Sequence, residues 1–237
     1  MRVALSLARR GLGNSWPNPA VGCIIVNDGR IVGRGWTQPG GRPHAETMAL
    51  KLAGKRADGA NAYISLEPCS HTGMTPPCTE ALIKAGINKV YASLSDPDHR
   101  VSGTGFKKLK KANIPVNIGL LSEEAKELNK GYFLLLEEGR PLITFKTATT
   151  FDGKIATKDG ESNWITNEDA RNFGHLLRAT HDAILVGSGT VLSDDPLLTC
   201  RLPGISNVRR PRIILDRRLR VPPESQLLQT AGDYPVW

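Results

Sequence analysis

The sequence lacks any apolar run long enough to cross a bilayer, which takes about 20 residues, and this disfavours a membrane protein. Its N-terminus, MRVALSLARR, is too short and too charged for a signal peptide. Aromatic residues make up only 5% of the chain, which leaves little material for stacking on nucleic-acid bases. Internal repeats and low-complexity segments are absent as well. We therefore expect a cytoplasmic globular protein of one large domain or two modest ones.

The 237 residues carry a formal charge of +8, with a sequence pI near 9.5. Much of the excess lies in two short segments, KKLKKA (107–112) and RRPRIILDRRLR (209–220). Nucleic-acid binding is one interpretation. In the first segment, however, Phe106 and Leu109 predict an amphipathic helix whose lysines form its solvated face. We therefore attribute the positive charge to solvated helix faces and to binding of small phosphate-bearing ligands, rather than to nucleic-acid binding.

The chain has four cysteines, and without a secretory signal they predict metal binding or burial rather than disulfides. Cys23 lies in the apolar run VGCIIV and is expected in the core. Cys200 has no partner that the sequence identifies. Cys69 and Cys78 remain as a pair that can do chemistry.

Strand and helix patterns alternate along the chain, which predicts a mixed α/β structure. The NDG turn at 27–29 predicts a hairpin. In HAETMALKLAG, Ala45, Met48, Ala49 and Leu52 predict one apolar helix face. A helix near 122–137 leads to EEGRP, where we place the domain boundary at about 137–141. Beyond it we expect a strand LITFKTAT (142–149), a helix capped by Asn167, and the strands AILVG and PRIILD.

A catalytic zinc needs three protein ligands and an open position for water. His44, Cys69 and Cys78 lie at helix starts or at the end of a strand, and can supply those ligands. Glu46 would then carry protons beside the metal. Taken alone, Glu46 is also an ordinary first-turn residue that favours the helix dipole. His71 could be a fourth ligand, which would make the site structural.

The sequence matches H-x-E…P-C-x-x-C, the signature of zinc nucleobase deaminases, except that eight residues rather than two separate the cysteines. The whole pattern PNPAVGCIIV…PHAE…EPCSHTGMTPPC closely resembles the deaminase domain of the bifunctional riboflavin-biosynthesis deaminase/reductase family. In that family a widened loop between the cysteines is usual. The resemblance covers essentially all of the chain.

The resemblance implies a cytidine-deaminase-like three-layer α/β/α domain at 1–138 and a partial dihydrofolate-reductase-like α/β domain at 139–237. His44, Cys69 and Cys78 would bind zinc, Glu46 would move protons, and Asn18 would contact the substrate. Asn18 is otherwise a Pro-flanked turn residue. The substrate would be a diaminopyrimidinone that carries ribosylamine 5′-phosphate, and hydrolysis would release ammonia.

In the second domain the resemblance implies NADPH-dependent reduction of the ribosyl group to ribityl. NADPH would contact Ala148, Trp164, Thr190 and Asp194. The substrate would contact Lys146, Ser162, Leu198 and Arg201. Arg217 follows Asp216 where the family commonly has Ser, and family members continue well past residue 237. We therefore expect a truncated chain with a complete deaminase site and an incomplete reductase.

Two other classes stay open at this point. A nucleic-acid deaminase would suit the positive charge, but the long cysteine spacing and the second domain oppose it. A non-enzymatic, zinc-stabilised binding module would make Glu46 a cap residue. Expected partners are the small-molecule substrate and further copies of the chain, with neither nucleic acid nor membrane.

Overall fold

The computed structural model describes residues 1–162, 164–205 and 208–237. The chain forms two compact units, residues 1–143 and 144–237. Within the described ranges, every helix is too short or too polar to span a membrane.

The first unit has five strands, β1 (Gly22–Asn27), β2 (Arg30–Trp36), β3 (Asn61–Ile64), β4 (Lys89–Ala92) and β5 (Val116–Ile118). They form one sheet of order β2-β1-β3-β4-β5. The predicted NDG turn joins β1 and β2 as an antiparallel hairpin, and β1 also pairs antiparallel with β3. The β3, β4 and β5 strands run parallel to one another.

Helices cover both faces of this sheet. They are α1 (Arg2–Ala8), α2 (Ala45–Ala53), α3 (Cys78–Lys84), α4 (Thr104–Lys111), α5 (Ser122–Leu128) and α6 (Lys130–Glu138). A Cβ added at Gly22 would overlap α1, and one added at Gly35 would overlap α2. Gly22 pairs with Trp36, the neighbour of Gly35, so these two glycines face opposite sides of the sheet. The α1 and α2 helices are therefore separate outer layers of an α/β/α arrangement.

Glycine in β2 lets α2 approach the sheet closely. A Cβ at Gly33 would overlap the Ala49 carbonyl, and one at Gly35 would overlap that of Ala45. The buried face of α2 accordingly consists of Ala45, Ala49 and Ala53 together with Glu46. The predicted face was wrong at its end, since Leu52 is exposed and Ala53 is buried instead.

The predicted helix at 122–137 is two helices, α5 and α6, separated at Asn129. Asn129 is buried, and its amide pairs with the backbone of Ala20, accepting from N–H at 2.9 Å and donating to C=O at 3.0 Å. The break between the two helices places the Asn129 amide where it hydrogen-bonds both the N–H and the C=O of Ala20, which is distant in sequence. In α4 the prediction is confirmed, because Phe106 and Leu109 are buried while Lys107, Lys110 and Lys111 are exposed.

The second unit has a small parallel sheet of two strands and three helices among its described residues. They are α7 (Glu168–Thr180), β6 (Ile184–Gly187), α8 (Ser188–Asp194), β7 (Arg212–Leu215) and α9 (Gln226–Gln229). Asn167 caps α7 as predicted, accepting a hydrogen bond from Ala170 N–H at 3.0 Å. The expected strand at 142–149 is not formed. No described strand pairs with the backbone of that segment, and a strand requires a hydrogen-bonded neighbouring strand.

Candidate active site

Three potential metal ligands meet beside the sheet of the first unit. His44 Nδ1 lies 3.6 Å from Cys69 Sγ and 3.3 Å from Cys78 Sγ. The three ligand atoms all lie within 4.8 Å of one another, and His71 is exposed and outside the set. In a tetrahedral zinc site with ordinary bond lengths, a nitrogen and a sulfur ligand are about 3.5 Å apart. The residues therefore fit a zinc ion with one open position.

Short local signals put each ligand in place. His44 precedes the first residue of α2, and Cys78 is the first residue of α3 after Pro77, whose ring suits a helix start. Cys69 lies in the loop that follows β3. Backbone contacts join this loop to α3, since Cys78 N–H donates to Cys69 Sγ at 3.3 Å and Thr79 N–H to the Cys69 carbonyl at 3.1 Å.

The contact between the two thiols shifts their pKa values in opposite directions. A hydrogen bond from the Cys78 side chain lowers the pKa of Cys69 to about 4, with His44 adding to the effect and burial opposing it. The same hydrogen bond and burial raise the pKa of Cys78. The hydrogen bond to Cys69 also raises the pKa of His44. A divalent cation bound to both sulfurs requires both thiols to be deprotonated, so metal binding should release protons.

Glu46 lies next to this cluster but is not one of its ligands. Its side chain is buried, at 3% exposure, on the face of α2 that packs against the sheet. Burial raises the pKa of Glu46 to about 7, while the neighbouring His44 charge opposes the shift. A buried carboxyl with a pKa near neutrality can both accept and return a proton, which suits general acid–base catalysis.

Asn18 approaches the site through His44. Its side-chain nitrogen donates to the Gly41 carbonyl at 2.8 Å and lies 3.3 Å from His44 Nε2. Asn18 is thus beside the ring nitrogen that faces away from the sulfurs, where an outer partner can orient a metal-binding histidine. Its predicted contact with substrate stays a prediction.

Arg42 borders the same site on the side of the loop between the cysteines. It is half-buried, two residues before His44, and donates to Thr75 Oγ1 at 2.8 Å. Its charge acts to lower the pKa of His44. In the described part of the chain, no acidic side chain forms an ion pair with Arg42. Its guanidinium is therefore available to an anion.

Glu67 is a buried residue near the site that the sequence reasoning missed. It is 4% exposed, and its carboxylate accepts hydrogen bonds from backbone N–H groups of the segment 96–106. The motif EPC contains it two positions before Cys69. Its closeness to Cys69 in the sequence was the signal that could have pointed to it. Its hydrogen-bond donors are distant in sequence, so its contacts are visible only in the fold.

The residues predicted for the second unit lie in separate parts of it. Leu198 is buried and packs near Val191 of α8, the helix that also carries Thr190 and Asp194. Trp164 stacks under the Arg171 guanidinium at 4.6 Å. Lys146, Ala148 and Ser162 lie in irregular segments, with Lys146 and Ser162 exposed. Their functional assignments stay predictions.

Arg201 is part of a cationic cluster with two residues of α7. Its backbone N–H donates to His175 Nδ1 at 3.2 Å, and Arg178 donates to the Thr199 carbonyl at 2.9 Å. Burial lowers the pKa of Arg178, and the charge of Arg201 lowers it further. The pKa of His175 is lowered by burial and then by both arginines. The sequence reasoning missed Arg178, whose relation to Arg201 depends on tertiary packing.

Family models match both parts of the chain. Residues 1–94 match the cytidine and deoxycytidylate deaminase zinc-binding region. Residues 141–236 match the RibD C-terminal domain. Fold and site together thus define a zinc-binding domain of the cytidine-deaminase class, followed by a domain of the dihydrofolate-reductase-like class.

Relatives extend this match across the chain. The riboflavin biosynthesis protein RibD of Aquifex aeolicus (strain VF5) is 48% identical over 97% of this chain and 64% of its own length. RibD of Escherichia coli (strain K12) is 47% identical over 98% of this chain and 66% of its own. The chain therefore spans about two thirds of the length of these curated relatives.

Two solved structures also match this chain over nearly its whole length. A Thermotoga maritima protein, described as a diaminohydroxyphosphoribosylaminopyrimidine deaminase/5-amino-6-(5-phosphoribosylamino)uracil reductase, is 40% identical with a TM-score of 0.91. The match covers 100% of this chain and 67% of that one. Acinetobacter baumannii RibD is 41% identical over 99% of this chain and 67% of its own, with a TM-score of 0.88. The chain belongs to the RibD family of riboflavin biosynthesis proteins.

Proposed function

We propose that the first unit is a zinc-dependent deaminase acting on 2,5-diamino-6-ribosylamino-4(3H)-pyrimidinone 5′-phosphate in riboflavin biosynthesis. The observation that carries this proposal is the pairing of three metal-ligand atoms with a separate buried carboxyl, Glu46. A structural zinc site would have a fourth protein ligand. The three-ligand set leaves a position open for water, and Glu46 stands beside it.

When bound by His44, Cys69 and Cys78, zinc supplies the Lewis acidity that activates water for attack on the ring carbon bearing the amine. Glu46 accepts the proton that water loses and delivers it to the exocyclic nitrogen. The carbon–nitrogen bond then breaks and ammonia leaves, while the proton of the hydroxyl added to the ring carbon moves to the ring nitrogen as the carbonyl forms. One water is consumed for each ammonia released, and Glu46 ends in its starting protonation state. Its pKa near 7 suits both halves of this transfer.

Arg42 is proposed to receive the 5′-phosphate of the substrate. Its guanidinium lies at the edge of the site, held by Thr75, and no acidic side chain in the described residues pairs with it. Arginine matches phosphate through two parallel charge-assisted hydrogen bonds. This contact would anchor the ribosyl phosphate chain while the pyrimidine reaches the metal.

The second unit is proposed to contribute to NADPH-dependent reduction of the ribosyl group. The cluster of Arg178, Arg201 and His175 supports an anion position there, since these cationic and polar groups lie together and neither arginine forms an ion pair within the described residues. A substrate phosphate would be its natural occupant. Ala148, Trp164, Thr190 and Asp194 are proposed to contact NADPH, and Lys146, Ser162 and Leu198 the substrate.

The decisive experiment measures ammonia release from the diaminopyrimidine phosphate by the chain and by Glu46→Ala. We expect the variant to fold and to bind one zinc while its deamination rate falls by about 10²- to 10⁴-fold, the usual contribution of a general acid–base group. Zinc content and circular dichroism serve as controls. Retained activity in a zinc-loaded, folded variant would contradict the role of Glu46. Ammonia release from a tRNA anticodon stem, but not from the pyrimidine, would favour a nucleic-acid deaminase instead.

A further inference from the structure

Glu67 forms a buried link between the loop that carries Cys69 and the start of α4. Its Oε1 accepts from Gly105 N–H at 2.9 Å and from Phe106 N–H at 3.3 Å. Its Oε2 accepts from Gly103 N–H at 2.9 Å and from Asp96 N–H at 3.3 Å. Four backbone donors from one segment thus converge on one carboxylate.

This arrangement satisfies groups that the helix cannot satisfy by itself. The first N–H groups of an α-helix have no partner within it, and α4 has no side-chain cap of its own. Glu67 provides the missing acceptors from a different part of the chain. In the described residues no cation forms an ion pair with Glu67, and the hydrogen bonds that its side chain accepts come from backbone N–H groups.

Two further contacts tighten the same junction. A Cβ added at Gly105 would overlap the Pro68 carbonyl, so α4 packs directly on the backbone of the ligand loop. Ser70 Oγ lies 2.6 Å from Thr104 Oγ1, on the other side of Cys69. Cys69 is therefore held between two anchor points, Glu67–Pro68 and Ser70, which both rest on the first turn of α4.

We propose that Glu67 is a positioning residue of the metal centre, which fixes the Cys69 loop against α4 and so sets where the Cys69 sulfur lies. Among the described residues, the Cys69 sulfur receives a single backbone hydrogen bond, from Cys78 N–H. Its location therefore depends on where the loop itself is held. The role proposed for Glu67 rests on the zinc site of the proposed function, and it is the same whichever pyrimidine is the substrate.

The test compares Glu67→Gln with Glu80→Gln in the full chain. Glu80 is a matched control, since it lies two residues from Cys78 as Glu67 lies two residues from Cys69. It also joins α3 to α4, but through an exposed ion pair with Lys108 at 2.7 Å. Zinc affinity is measured by competition with a chelator, and ligand geometry by the absorption spectrum of the cobalt-substituted protein.

We expect Glu67→Gln to weaken zinc binding by about 10- to 100-fold, the usual effect of losing an outer-shell partner. The amide cannot accept at both ends, so part of the loop loses its anchor and the sulfur-to-cobalt absorption should shift or weaken. Glu80→Gln should leave both measurements unchanged. If Glu67→Gln folds with the zinc affinity and cobalt spectrum of Glu80→Gln, the positioning role is refuted.

Gly105→Ala tests the same junction if Glu67→Gln does not fold. Alanine is the better helix former by about 1 kcal/mol, so weaker zinc binding in this variant would come from the contact with Pro68 rather than from α4 itself. We expect the same loss of zinc affinity and the same change in the cobalt spectrum. Unchanged values for both would overturn the proposal. Metal binding is the readout, so these results stand apart from whether the chain deaminates the pyrimidine.

Discussion

Asp96 is a buried carboxyl whose ionisation the first unit opposes. It is 7% exposed and accepts hydrogen bonds from Asp98 N–H at 2.9 Å and Tyr132 O–H at 3.2 Å. Burial raises the pKa of Asp96 to about 6, the hydrogen bonds oppose this, and the charges of Asp98 and Glu67 add to it. The folded chain therefore holds this proton at pH values where the unfolded chain has lost it. Its contribution to stability is present below about pH 4 and is lost as the pH rises through 6.

Asp96→Asn should remove this loss of stability at high pH, because an amide keeps an oxygen acceptor without becoming charged. At pH 7 we expect the variant to be more stable than the parent by about 1–3 kcal/mol, the upper value corresponding to a shift of about two pKa units. At pH 4 the two proteins should differ little. Urea unfolding at a series of pH values from 4 to 7 provides the measurement. The stability difference between Asp96→Asn and the parent should grow in favour of the variant from pH 4 to pH 7. A difference that changes in the opposite direction would contradict this account.

Arg42 allows the proposed phosphate contact to be tested separately from the chemistry. Arg42→Gln should raise the KM for the phosphorylated pyrimidine by about 10- to 100-fold, since a hydrogen bond to a charged group contributes about 1.5–3 kcal/mol. The kcat should change little, because Arg42 is not proposed to touch the reacting carbon or to move protons.

Two comparisons make the Arg42 test specific. The dephosphorylated pyrimidine should be used equally poorly by the parent and by Arg42→Gln. Arg34→Gln, which removes an exposed arginine from β2, should behave as the parent with both substrates. A KM that is unchanged in Arg42→Gln, or raised equally for both substrates, would remove phosphate recognition from this residue.

Helices and strands were predictable where their signals lie within a few residues. The NDG turn fixes a hairpin because positive φ angles are needed there, and they are found at Asp28 (47°) and Gly29 (72°). Asn167 begins α7 by accepting a hydrogen bond three residues ahead. The three candidate metal ligands could be picked out for a similar reason, since His44 precedes α2, Cys78 begins α3, and Cys69 lies in the short loop after β3.

Elements that depend on distant partners were not predictable. The break between α5 and α6 exists because Asn129 pairs with Ala20, which is 109 residues away. The alanine face of α2 follows from the glycines of β2, whose missing side chains let the helix approach. The Glu67 contacts likewise span about 30 to 40 residues. Periodicity within one segment carries no information about such partners.

At the scale of the whole molecule, the two units differ greatly in how much apolar surface they bury. The core of the first unit is one continuous cluster that includes Ile25, Ile64 and Leu82. The buried hydrophobic residues described in the second unit form two small clusters of three. Around the start of the second unit, Phe145 and Phe151 are almost fully exposed, and the segment 140–167 has no regular helix or strand among its described residues. The second unit should therefore open at lower free energy than the first.

Limited proteolysis with trypsin tests this difference. The segment 140–167 offers the exposed cleavage positions Lys146, Lys154 and Lys158, in backbone that is held by few hydrogen bonds. We expect the first cuts at these positions, followed by loss of the second unit and persistence of a fragment ending near Lys146. All three metal ligands, Glu46 and Glu67 lie in that fragment, so it should keep its zinc. Mass spectrometry identifies the cuts, and zinc analysis of the purified fragment completes the measurement. First cuts within the sheet of the first unit would contradict the expected order of stability. A fragment that loses its metal would show that the metal centre depends on the second unit.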